Sequence, residues 1–180
     1  MLLETLREIY KFEHERNEKL LTRIAIYLII VSLEFSILVK YYEDYKIPEC
    51  YDILNVLFII LCSISILLLF IAFYFFYKGM FDSKRYYYGF LPSPKDIKEY
   101  YDRLVEYYSD NYDIYFKDLD TKENLIRKDF ENFQIDKYIE TSQVNNINNN
   151  FKSYFIYRAG QFILISVIFL LFTFVIFFFH

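Results

Sequence analysis

Three apolar blocks, at residues 24–39, 53–77 and 160–179, constrain this 180-residue chain more than any other feature. Each is close to the ~20 residues that carry a helix across the hydrocarbon of a bilayer. They concentrate a hydrophobic content of 56%, with 20 Tyr and 21 Phe, above the roughly 45–50% of a soluble domain. An ordinary soluble enzyme, a disordered tail and a disulfide-stapled secreted module are thereby excluded. The expected fold class is an all-α integral membrane protein: three transmembrane helices and a cytoplasmic helical hairpin, whose second helix runs on into the third span.

The expected domains are an amphipathic N-terminal helix at 1–22, a transmembrane helical hairpin at 23–77, a cytoplasmic helical domain at 78–158 and the third transmembrane helix at 159–180. Leu2, Leu3, Leu6, Ile9 and Tyr10 recur at helical steps on one face, and Glu8–Lys11 and Glu15–Lys19 are spaced for side-chain pairing. The leading segment holds five acidic residues and no small-residue cleavage site follows Val39, so the first span, about Leu20 to Val39, is expected to be a retained anchor. Span two is placed at Ile53–Tyr77 and span three at Gly160–Phe179. The short connection from Lys40 to Asp52, with Pro48, closes a helical hairpin. Tyr41, Tyr42, Tyr45 and Tyr51 would form one headgroup belt, and Tyr74, Tyr77, Tyr86, Tyr87, Tyr88, Tyr154 and Tyr157 the other.

Loop charge sets the expected orientation. The N-terminal segment carries five Lys/Arg and residues 79–158 carry twelve, whereas the 40–52 loop has only Lys40 and Lys46 among four acids. The positive-inside tendency places the N-terminus and the 78–158 domain in the cytoplasm and the C-terminus outside, in the cell inner (plasma) membrane.

Within the hydrophilic domain, Ser93-Pro94-Lys95-Asp96 is a helix start with its cap, proline and acid in register. Ile97, Tyr100, Tyr101, Leu104, Val105 and Tyr108 follow as an apolar stripe, and Asp110 to Asp120 reads as a turn. A second start lies at Asp120-Thr121-Lys122-Glu123. No Gly or Pro intervenes between Thr121 and Ala159, so one long helix is predicted, weakest at Asn145–Asn150. That asparagine run reads as codon-driven drift rather than a binding site.

The net charge of -4 and pI near 5.3 leave no basic footprint for nucleic acid. Cys50 and Cys62 match no metal spacing, and Gly79, Gly89 and Gly160 are isolated rather than a phosphate loop. With only His14 and His180 as histidines, no catalytic cluster, cofactor or metal is expected. Arg7 and His14 share the Arg-x6-His spacing of helical ribonuclease domains, but are read as an exposed pair on an amphipathic helix.

Glu34 stands out, because a carboxylate inside span one costs ~2–3 kcal/mol or more unless paired, protonated or wetted. Asn55 and Thr173 are expected near its depth. Glu34 would then be satisfied by Asn55, meet copies of itself around an axis, or reach the outer headgroups. Ser32, Ser36, Ser63 and Ser65 are small enough to let helices approach. Tyr100, Tyr101, Leu104 and Tyr108 form a candidate partner surface.

Tyr88-Gly89-Phe90-Leu91-Pro92-Ser93-Pro94, then Asn146, Asn150 and Lys152 before Tyr154, Arg158 and Ala159, resemble a scattered group of small bacterial three-span membrane proteins. In outline the chain is also similar to two-span membrane effector domains of bacterial antiphage systems, from which its third span departs. The first expectation for function is an oligomeric membrane effector or pore subunit, with a cytoplasmic sensor or gate and Glu34 facing the axis. The competing expectation is a membrane scaffold that anchors a cytoplasmic partner. The bilayer and either further copies of the chain or a partner protein would be its contacts.

Overall fold

The computed structural model describes residues 1–44, 53–81, 88–117 and 119–179, and every element is helical. Helix α1 spans Leu2–Asp44, α2 Ile53–Phe81, α3 Pro94–Asn111 and α4 Lys122–Phe179, with a π-helical turn at Tyr112–Phe116 after α3. Pro48, Cys50, Tyr45, Tyr51, Tyr86, Tyr87 and His180 lie outside the described residues. Three helices, α1, α2 and α4, are long and apolar enough to cross a membrane. The segments read as an amphipathic helix and as span one are continuous. Residues 2–44 are one helix, because no Gly or Pro interrupts them and both segments carry helix-forming residues.

The chain divides into two compact units. One comprises Met1–Glu15 and Tyr86–Asn148; the other comprises Arg16–Arg85 and Asn149–His180. Both α1 and α4 contribute to each.

In the first unit, the cap at Ser93 forms as its sequence predicts. Ser93 Oγ accepts from the Asp96 N–H at 3.2 Å, and Asp96 Oδ2 accepts from the Ser93 N–H at 3.0 Å. At the second start the capping side chain is Thr121, whose Oγ1 accepts from the Asn124 N–H at 3.4 Å. Asp120 instead receives the Asn124 side-chain amide and the Thr121 N–H, bonds that hold its carboxyl below the usual range.

Helices α3 and α4 form the expected antiparallel hairpin, joined by aromatic side chains. Tyr100 stacks on Phe133 with centroids 3.8 Å apart, and Tyr101 meets Phe130 edge-on at 5.3 Å. The buried Tyr108 donates its phenol proton to Asp129 at 2.7 Å. Burial and this acid together push the Tyr108 pKa up to about 12. Met1–Glu15 lies along the same stretch of α4, with Tyr10 edge-on to Tyr138 and Asn146 Nδ2 donating to Glu13 Oε1 at 2.8 Å.

In the second unit three helices share one core, built from Val31, Leu38 and Tyr41 on α1, Phe58, Leu69, Ala72 and Phe76 on α2, and Ala159, Ile163 and Leu170 on α4. Tyr27 meets Phe76, and Tyr41 meets Phe58. These two pairs run in opposite directions, so α2 is antiparallel to α1. Arg16 donates to Asn150 Oδ1 at 2.6 Å, Lys152 donates to Asn17 Oδ1 at 2.9 Å, and Tyr41 stacks on Phe177. Those pairs advance together, so α4 is parallel to α1. Gly160 leaves room for Tyr27: a Cβ there would lie 2.6 Å from the phenol oxygen, so the ring would have to shift.

Candidate functional site

Each helix of the second unit turns one seam inward, at alternating steps of three and four residues. On α1 the buried seam includes Leu20, Ile24, Val31, Glu34, Leu38 and Tyr41; on α2 it runs through Asn55, Phe58, Ser65, Leu69, Ala72, Phe76 and Gly79. On α4 it continues through Ile156, Ala159, Ile163, Ser166, Leu170 and Thr173. This spacing keeps a stripe facing its neighbours along helices that pack at small angles. Glu34 occupies a seam position between Val31 and Leu38, so the helix itself aims its carboxyl inward. The residue is 3% exposed, and neither carboxyl oxygen receives a hydrogen bond among the described residues.

Opposite Glu34 lie two fully buried serines. The Ser166 hydroxyl faces the carboxyl, yet donates to the Ser65 carbonyl oxygen at 3.2 Å. Ser65 Oγ is also buried without a hydrogen-bond partner among the described residues. One polar layer, Glu34–Ser65–Ser166, thus lies among the apolar seam residues Val31, Leu38, Leu69, Ile163 and Leu170.

Asn55 and Thr173 are buried on the same seams but not in that layer. Span ends at Val39 and Ile53 would set Asn55 level with Glu34, whereas α1 continues to Asp44 and Tyr41 packs on Phe58. Ser65, rather than Asn55, is therefore brought level with Glu34. Asn55 is ten residues along α2 from Ser65, about 15 Å of rise. Thr173 donates to its own helix at Phe169 O, 2.9 Å away, and neighbours Cys62.

The first unit holds a second polar constellation, one that the drift reading of the asparagine run passed over. Asn145, with no exposed surface, grips the Gly89 peptide with both ends of its amide. Its Oδ1 accepts from the Gly89 N–H at 2.7 Å and its Nδ2 donates to the Gly89 oxygen at 3.0 Å. A Cβ on Gly89 would stand 3.0 Å from Thr141 Cγ2, a tight contact that Thr141 would have to relieve. Asn145 extends the three-and-four alternation of α4, a signal available in the sequence.

The candidate partner residues are distributed between roles. Tyr108 is buried, Tyr100 is covered by Phe133, Leu104 is half-buried, and Tyr101 keeps 43% exposure beside Phe130. Larger exposed apolar groups sit at the hairpin tip: Ile114, Tyr115 and Leu119. Arg7 lines a groove of about 180 Å³ with Gln134, Lys137 and Tyr138, while His14 lies against Tyr88, 3.3 Å from its phenol oxygen. Arg7 and His14 do not converge on one site. Among the described residues no group of three or more His, Cys, Asp or Glu is placed to hold a metal ion. No protein-family model matches the chain, and no curated protein or solved structure matches it either.

Proposed function

We propose that this chain is a non-enzymatic, three-span membrane protein that serves as a scaffold, holding a partner protein at the cytoplasmic membrane face through its α3–α4 hairpin. The spans are the second part of α1, α2 and the second part of α4, and the charge asymmetry puts the N-terminus and the hairpin in the cytoplasm. One observation favours the scaffold over the pore: Glu34 is 3% exposed within the three helices of a single copy. A carboxyl enclosed in this way has no face to present to an axis between copies. The exposed Ile114, Tyr115 and Leu119 at the hairpin tip supply the apolar anchor residues that interfaces use.

A second reading, an oligomeric effector or pore subunit, draws support from the outer face of α1. Ser32 and Ser36 satisfy their hydroxyls on their own helix, at Leu28 O and Ser32 O, both 2.8 Å away. They line a groove of about 470 Å³ with Phe35, Ile66 and Phe70, the kind of small-residue surface on which membrane helices pack.

Native mass spectrometry in nanodiscs, with conductance across planar bilayers, separates the two. The scaffold reading expects a monomer without conductance. A discrete oligomer that conducts, and that Ser32→Leu/Ser36→Leu breaks apart, overturns it in favour of the effector.

A further inference from the structure

The polar layer in the second unit has an imbalance of donors and acceptors. Both Glu34 oxygens lack a donor among the described residues, and the hydroxyl facing them, Ser166, directs its proton to the Ser65 carbonyl. A hydroxyl has a single proton, so Ser166 serves either the carboxyl or the Ser65 carbonyl and not both. Nor does the chain offer a counter-ion. Residues 24–39, 53–77 and 159–179 contain no Lys, Arg or His. The other titratable groups in or against the shared core are Tyr27 and Tyr41 on α1 and Cys62 on α2, with none on residues 159–179 of α4, and no member of this set is a cation. A buried carboxylate without such a partner costs several kcal/mol.

We propose that Glu34 is a proton-binding site, held as the neutral acid that donates to Ser166 Oγ, whose own proton goes to the Ser65 carbonyl. A single added proton then joins the carboxyl to the existing Ser166–Ser65 bond as one directed chain, from α1 through α4 to α2. Such chains strengthen each bond they contain. The Ser65 carbonyl is available as terminus because a backbone oxygen has a second lone pair beyond its helical bond. The proposal rests on the three-span reading, since water reaching the layer would supply donors and remove the need for the proton.

The test is infrared spectroscopy of the full chain in phosphatidylcholine nanodiscs at neutral pH, beside Glu34→Gln, Glu34→Asp and Ser166→Ala. Wild type should show the carbonyl band of a protonated carboxylic acid, lost in Glu34→Gln and shifted to higher frequency in Ser166→Ala, where the acceptor is gone. Glu34→Gln keeps a donor and should unfold in detergent within about twofold of the wild-type rate. Glu34→Asp, a methylene too short to reach Ser166, should unfold about tenfold faster. Absence of a Glu34-dependent acid band overturns the proposal. So does a band that disappears when sodium is added at constant pH, which would make the layer a cation site. If Glu34→Gln does not fold, the wild type and Ser166→Ala still give the band and its shift. Protease protection on the same nanodiscs separates the failures: unprotected spans sink the three-span reading, whereas protected spans without the band sink only the protonated carboxyl.

Discussion

The two units share α1 and α4 and both use ring contacts, but the second adds small residues along its seams. In the first, α3 and α4 meet through large rings, Tyr100 on Phe133 and Tyr101 on Phe130, while polar groups such as Tyr108–Asp129 and Asn145–Gly89 hold the register. In the second, the seam of α2 is punctuated by Ser65, Ala72 and Gly79, and α4 answers with Ala159, Gly160 and Ser166. The proposed three-span arrangement would account for the contrast through water. A water-bathed hairpin gains most by hiding aromatic area. Helices surrounded by lipid gain little from hiding apolar surface, so close approach and buried polar contacts decide how they meet.

The comparison breaks most decisively with Phe130→Pro. Proline removes a helical N–H and clashes with the preceding turn, so about 3 kcal/mol or more should be lost. Circular dichroism and limited proteolysis should report loss of the α3–α4 hairpin, with the 149–179 part of α4 still protected. Unchanged helicity and protease resistance would mean that residues 122–148 were never a packed helix. Next in size is Ala72→Leu, at a fully buried seam position. Overpacking should cost about 1–3 kcal/mol, seen as faster unfolding in detergent and lower resistance in the second unit only. A neutral result would show that small residues do not set the approach of α2.

Asn145→Ala sharpens the account of the first unit. It deletes both bonds to the half-buried Gly89 peptide and should cost about 2 kcal/mol in chemical denaturation. Asn145→Asp should lie between wild type and Ala, since one oxygen still accepts the Gly89 N–H while the other faces the Gly89 carbonyl. The smallest effect concerns Tyr108. Its phenol is neutral in the fold, with the pKa raised from 10.0 to about 12. Its stabilising contribution is complete below pH 10 and disappears as the pH rises through about 12. Tyr108→Phe should cost about 1 kcal/mol at neutral pH and flatten that alkaline limb. A limb unchanged in the variant would assign it to another group.

Local signals made much of the fold legible in the sequence. The apolar blocks, the Ser93–Asp96 capping box and the uninterrupted α4 each depend on residues close together along the chain, so composition and spacing were sufficient. The candidate site was legible only as a list. Glu34 was conspicuous, but its neighbours depended on register, and register was fixed by Tyr41 on Phe58, a match between distant segments. Placing the rim at Val39 led to Asn55 instead of Ser65. The Asn145–Gly89 bond joins residues 56 apart, and a compositional bias toward asparagine hid it. The three-and-four alternation through Asn145, Ser65 and Ser166 was the available clue, since it set these residues inward among apolar neighbours.

The division of both units between distant parts of the chain has a consequence for the protein's synthesis. Residues 16–85 separate Met1–Glu15 from the rest of the first unit. At about 5–20 residues per second, the ribosome needs several seconds to traverse that interval. For that time the leading segment, with Leu6, Tyr10 and Glu13, has been made while its α4 surface has not. Residues 1–15 are thus made well before the α4 surface that they pack against. A ribosome stalled soon after α2 would leave neither unit complete, exposing an amphipathic leader and an unfinished hairpin to chaperones and proteases.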